Sequence, residues 1–189
     1  MTTDLFRVRE RALEYEFFHK VDEELWQRLR EQLEFDQRRR ALADATGITD
    51  EALLAELVEL DISSESIFAL SLFPLVWLAW TDGRIAPEER QVILEAAHAS
   101  GHEQGTASYQ LIETWLDHKP DEKLETAWKD YVRSVCATIS PAASQSLKED
   151  VLHRAGQLVG ALRVRYGFHN IESQQDKILE EIERAFTVR

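Results

Sequence analysis

Glycine, proline and cysteine are all scarce, at seven, four and one among 189 residues. So little Gly and Pro disfavours a turn-rich β protein and a low-complexity disordered chain alike. A lone Cys136 excludes an intramolecular disulfide and suits a reducing compartment. It stands with Val132 and Val135 on an apolar helical face, where a buried structural thiol is expected rather than a nucleophile. Positive charge is short as well: 22 Lys and Arg face 35 Asp and Glu, for a formal charge of −13. That balance repels phosphate backbones and anionic lipid, so no nucleic-acid partner is expected. Long apolar runs are missing too. Ile67 to Trp80 is interrupted by Ser71 and Pro74, and falls short of the roughly 20 residues that cross a bilayer. The start, Met1-Thr2-Thr3-Asp4, lacks the apolar core of a signal peptide. These absences lead to the expectation of a cytoplasmic protein with no direct membrane insertion.

What is present is helical periodicity. Apolar residues make up 44% of the chain, enough to bury a substantial core, and no run alternates cleanly at period two. The expected fold is an all-α multi-helix bundle with an N-terminal helical extension over residues 1–62 and a helical domain over 63–189. Phe6, Leu13, Phe17 and Val21 line one face of the first helix. Leu25, Trp26, Leu29 and Leu33 continue it after an expected cap at Asp22. Further helices are expected near 41–46, 50–60, 64–80, 87–100, 105–118, 122–138, 142–165 and 173–187. The segment Ile67–Trp80, apolar all round, reads as the buried central helix. Pro74 is expected to kink it by freeing the Leu70 carbonyl. Trp77 and Trp80, three apart on this helix, are expected to pack in the core, and Trp26, Trp115 and Trp128 also fall on apolar faces.

The connections repeat one pattern, an isoleucine just before a helix start, at Ile48, Ile62, Ile85, Ile139 and Ile171. Thr49 and Ser63 are the expected caps of two such starts, with Ile48 and Leu53, then Ile62 and Ile67, as hydrophobic staples. Pro87 and Pro141 suit a first helical position, where no N–H is needed. Aligning Ile85 with Ile171 brings Val92-Ile93 onto Ile178-Leu179, a weak internal repeat. Its second copy has Phe168-His169-Asn170 where the first has Asp82-Gly83-Arg84.

The segment Trp80 to Arg90 carries the one arguable site. An apolar helix arrives, Asp82-Gly83 turns the chain, and Pro87-Glu88-Glu89 opens the next helix. Asp82, Glu88 and Glu89 are therefore candidate ligands for a weakly bound divalent cation, Ca²⁺ or Mg²⁺, or for a basic partner. Placing Asp82 and Gly83 at positions 5 and 6 of a Ca²⁺ loop puts Leu78 and Trp80 at positions 1 and 3, so this is no EF-hand. The same residues also serve as punctuation, with Gly83 at φ > 0 and the two glutamates favouring the helix dipole. The run Leu75 to Glu89, with its Trp-Thr-Asp-Gly-Arg-Ile core, resembles the signature of the TerB-like (tellurite-resistance B) superfamily. The likeness spans roughly residues 63–186. It implies an all-helical domain, acidic residues at helix junctions proposed to bind divalent cations, and a role in stress-associated assemblies, without implying a known catalytic reaction.

Two Glu-x-x-His pairs, Glu16 with His19 and Glu95 with His98, match the spacing of di-iron carboxylate bundles. Helical phase turns both pairs away from the apolar face, whereas bundle ligands must point inward. His102 follows His98 by four residues, but Gly101 is expected to end the helix between them. Arg38-Arg39-Arg40 reads as a solvated patch near a helix end. No nucleophile elbow, phosphate loop or dinucleotide fingerprint occurs. The functional expectation is a non-enzymatic interaction or sensing module with a protein partner, a homodimer among the options. The alternatives are a metal-dependent carboxylate-bundle enzyme, or a structural subunit that binds no ion.

Overall fold

The computed structural model describes the backbone of residues 2–166 and 172–187, with side chains over 19–160 and 174–187. Every regular element among the described residues is helical: α1 (Thr2–Thr46), α2 (Glu51–Glu59), α3 (Phe73–Ala79), α4 (Pro87–Ala99), α5 (Ala107–Asp117), α6 (Lys123–Thr138), α7 (Pro141–Tyr166) and α8 (Glu172–Ala185). Short 3₁₀ turns cover Ile67–Ser71 and Trp80–Asp82. The protein is an all-α multi-helix bundle.

The chain divides into two units, residues 1–40 and 41–189. This boundary differs from the one the sequence suggests at residue 62. The cause is α2, which buries Leu53, Leu54, Leu57 and Val58 and so belongs to the second unit. Two further differences concern α1. It runs through Asp22 without a cap, and Ala41–Thr46 is its last stretch rather than a separate helix. No Gly or Pro occurs between Thr2 and Thr46, and Asp22 has carboxylate neighbours that suit a helix surface, so nothing enforces a stop. Gly47, at φ 72°, finally ends it, its N–H bonding the Ala43 carbonyl at 2.8 Å.

The second unit is built around α3, which packs against α4, α5, α7 and α8, while α6 packs against α2 and α8. The expected 64–80 helix is broken at Pro74. Leu72 closes the 3₁₀ turn by bonding the Ala69 carbonyl at 3.0 Å, and Pro74 then lies in the first turn of α3. A proline there lacks an N–H that would be unsatisfied anyway, so the break replaces a kink. The Leu70 carbonyl receives the indole Nε1–H of Trp128 at 3.0 Å. Around that contact Phe73, Trp77, Trp115, Trp128 and Phe186 form one aromatic cluster. Phe73 meets Trp115 edge-on at 5.8 Å between centroids, and Trp128 meets Phe186 at 6.3 Å. Edge and offset contacts of this kind add about 0.5–1.5 kcal/mol each beyond area burial. The expected all-round burial of this segment fails at Phe68 and Ser71 on the 3₁₀ turn, which are exposed, and at Trp77 and Trp80, which are half-buried.

Helix starts follow local chemistry. Asp50, rather than Thr49, caps α2, its Oδ1 accepting from Ala52 N at 3.0 Å and Leu53 N at 3.2 Å. A carboxylate one residue nearer the helix answers both the free N–H groups and the dipole. Ser63 accepts from Ser66 N at 3.2 Å while Ser66 Oγ accepts from Ser63 N at 2.9 Å, closing a reciprocal turn. The staple residues Ile48, Leu53, Ile62 and Ile67 are all buried. Ser140 caps α7 through Ala143 N at 3.2 Å, with Pro141 next as the first helical residue. The proposed second repeat copy, Phe168 to Ile171, lies outside the described residues.

Candidate functional site

The acidic junction is the end of α3, its 3₁₀ continuation and the start of α4. Gly83 turns the chain at φ 82°, a conformation that costs an L side chain about 1–2 kcal/mol. Asp82 steadies the turn: its Oδ1 accepts from Arg84 N at 3.1 Å, and its Oδ2 lies 3.8 Å from Arg84 Nε. Thr81 Oγ1 donates back to the Leu78 carbonyl at 2.5 Å. Pro87 opens α4, and the Glu89 carboxylate reaches back to accept from Ala86 N at 2.7 Å. That is the reciprocal half of a capping box; Ala86 has no oxygen to supply the other half.

Glu89 is buried, and burial pushes its carboxyl above the ordinary carboxylate range. The bond from Ala86 opposes that shift, while repulsion from Asp82, and less strongly from Glu88, adds to it. Asp82 is exposed and Glu88 half-buried. Asp82 and Glu89 thus lie close enough to feel each other. Even so, no three His, Cys, Asp or Glu side chains among the described residues come together as a group that could hold a metal ion. Of the three carboxylates that spacing assigned as ligands, Asp82 closes the turn and Glu89 caps the helix.

The far end of α4 is shaped by the same kind of chemistry. Gly101 N–H bonds the His98 carbonyl and His102 N–H bonds the Ala97 carbonyl, both at 3.0 Å, in a Schellman closure with Gly101 at φ 84°. His102 therefore lies beyond the helix, as expected. It is buried, and burial first and Arg154 second push its imidazole below the ordinary histidine range. Arg154 is held by Asp150 at 2.6 Å and donates to Ser100 Oγ at 2.6 Å. Glu95 and His98 are exposed on α4, and Glu95 accepts from Gln91 Nε2 at 2.8 Å, so this Glu-x-x-His pair faces outward. The side chain of Glu16 lies outside the described residues. Cys136 is a buried free thiol, as expected.

Sequence spacing does not show how the tryptophans are used. Trp80 Nε1–H donates to the Trp115 carbonyl at 2.8 Å, tying the junction to α5. Trp77 stacks on Phe73 and carries Lys129 Nζ 4.9 Å from its ring centroid, with Lys129 also paired to Glu181. Trp115 and Trp128 are buried, Trp77 and Trp80 are half-buried, and Trp26 lies furthest from any core. It is 62% exposed, and Leu25 is 64% exposed beside it. With Val21, Leu29 and Leu33, also exposed, they form an apolar row along α1. Exposed apolar side chains grouped in this way are common at protein interaction sites.

No protein-family model, curated protein or solved structure matches the chain in comparison. No helix among the described residues is long and apolar enough to cross a membrane.

Proposed function

We propose that the protein is a non-enzymatic helical interaction module whose contact surface is the apolar row of α1. The observation that carries this reading is the exposure of Val21, Leu25, Trp26, Leu29 and Leu33 on a single helix. A helix face of this size in water is stabilised by covering it, at about 25 cal/mol per Å² of apolar surface removed. The TerB-like run from Leu75 to Glu89 supports placing such a module in a stress-associated assembly. The test is capture from an extract of cells that make the protein, with wild type beside Leu25→Glu/Leu29→Glu. Partners held by the wild type and lost by the variant are expected. Equal capture by both would sink the reading.

A weak Ca²⁺ or Mg²⁺ site at the junction is a second reading. It is favoured by the repulsion among Asp82, Glu88 and Glu89, which a cation would relieve. With Glu89 committed to Ala86 N, such a site rests on Asp82 and Glu88. Titration of EDTA-treated protein, followed by tryptophan fluorescence, discriminates. A saturable response absent in Asp82→Ala supports the ion. A flat response leaves the carboxylates as helix punctuation.

A further inference from the structure

We propose that the α1 row pairs with itself, so that two copies of this chain associate antiparallel through Val21, Leu25, Leu29 and Leu33. The proposal rests on α1 being the contact surface and goes on to name the occupant. The four residues recur every fourth position and so form one continuous row on the helix surface. They are also spaced symmetrically about Gln27. A second copy turned end for end about Gln27 sets Val21 opposite Leu33 and Leu25 opposite Leu29, then the same pairs in reverse. The row is its own complement, as an isologous two-fold interface requires.

Charge fixes the direction. At 3.6 residues per turn, Glu24 and Arg28 fall on one flank of the row, and Asp22, Trp26 and Arg30 on the other. In an antiparallel two-fold pair each flank meets the same flank of the other copy. Glu24 then faces Arg28 of the partner, and Asp22 faces Arg30 of the partner, each contact occurring twice. Trp26 meets its own copy beside the axis. In a parallel pair opposite flanks meet, which sets Glu24 against Asp22 and Arg28 against Arg30. Like charges in contact disfavour that arrangement.

The net charge of the segment permits self-association. Residues 1–40 hold nine Lys and Arg against ten Asp and Glu, so nearly all of the −13 lies beyond them. Two near-neutral helices with opposed charges on their flanks are not kept apart by overall repulsion.

The experiment uses the full chain. Light scattering after gel filtration is expected to give about twice the 21.9 kDa chain mass, and Leu25→Glu/Leu29→Glu to give the single-chain mass with unchanged helical circular dichroism. Glu24→Arg is expected to weaken self-association about three- to thirtyfold, and adding Arg28→Glu in the same chain to restore it. Direction is read by cross-linking. A mixture of Val21→Cys and Leu33→Cys chains is expected to form the mixed disulfide faster than either variant links to itself. A single-chain mass at every concentration overturns the proposal, as does a dimer that survives Leu25→Glu/Leu29→Glu. Faster self-linking of Val21→Cys overturns the antiparallel direction. A monomer that still captures another protein through the row overturns self-pairing and leaves the contact-surface reading intact.

Discussion

Leu57 and Leu29 are the same residue type on helices of the same protein, yet one is fully buried and the other 47% exposed. The difference between their surroundings divides the molecule. Residues 41–189 gather short helices around α3 and cover their apolar faces with one another, down to an aromatic cluster in which the Trp128 indole also satisfies the Leu70 carbonyl. Over residues 19–40, α1 carries a row of similar chemistry whose side chains are exposed. In the first region apolar residues are the means of folding. In the second they lie exposed on a helix that carries local pairs, such as Gln27 with Glu31 at 3.0 Å and Asp36 with Arg39 at 3.2 Å. Apolar periodicity is thus the same signal in both regions, with different consequences.

The largest expected effect comes from breaking the covered region at its centre. Trp128 is 1% exposed, touches Phe73, Trp77 and Phe186, and holds the Leu70 carbonyl. Trp128→Ala is expected to cost about 3–5 kcal/mol of stability, from lost burial and the cavity left behind. Trp128→Phe keeps a ring but strands the carbonyl, and is expected to cost about 1–3 kcal/mol. Chemical denaturation read by circular dichroism checks both. If Trp128→Phe proved neutral, the indole hydrogen bond would not be what holds the Pro74 break.

The two regions were unequally legible in the sequence. Periodicity gave the helical class and most helix positions in the second unit, because its starts carry strong local signals at Pro87, Ser140 and Pro141, and Gly101 signals a stop. It missed the division of 64–80, where Pro74 serves equally as a kink or a start and only the packing of Trp128 on Leu70 decides. It misplaced one cap because Thr49 and Asp50 are adjacent and both can accept. In α1, Val21, Leu25, Leu29 and Leu33 share one side with Trp26 beside them, all exposed, while the side chains of Phe6, Leu13 and Phe17 lie outside the described residues. Periodicity reports which residues share a side of a helix and says nothing of whether another element covers that side. At the junction, spacing brought Asp82, Glu88 and Glu89 near one another and left open whether they serve an ion or the backbone. The reach of Glu89 to Ala86 N, a capping-box geometry, is the part of the site the motif Ala-Pro-Glu-Glu could have announced.

Effects of intermediate size are expected at that junction. Gly83→Ala meets no atom within 4 Å but must hold φ 82°, so a loss of about 1–2 kcal/mol is expected. Glu89→Ala frees Ala86 N and is expected to cost about 1 kcal/mol. The pH dependence has a definite sign. The folded carboxyl of Glu89 titrates above its unfolded value, so the folded state holds the proton longer. Its contribution to stability therefore falls as pH rises from the ordinary carboxylate range through the raised folded value, and is flat above it. Glu89→Gln keeps an acceptor for Ala86 N and removes the titration. Its stability relative to wild type is expected to rise across that window and then level off. A constant difference at all pH values would mean that burial does not act on this carboxyl.

The smallest expected effect is the sharpest test of the comparison. Leu57→Ala deletes a fully buried side chain and should cost about 2–5 kcal/mol. Leu29→Ala removes the same atoms from an exposed position. In protein dilute enough to be a single chain, it should change stability by no more than about 0.5 kcal/mol. At higher concentration the two-fold pairing adds a mass-action term that favours the folded chain, and Leu29→Ala should reduce that term. The melting temperature of the wild type is then expected to rise with concentration, and that of Leu29→Ala to rise less. A large loss for Leu29→Ala at high dilution would mean that the row is covered within one chain. The distinction drawn between the two leucines would then fail, because both would belong to a core.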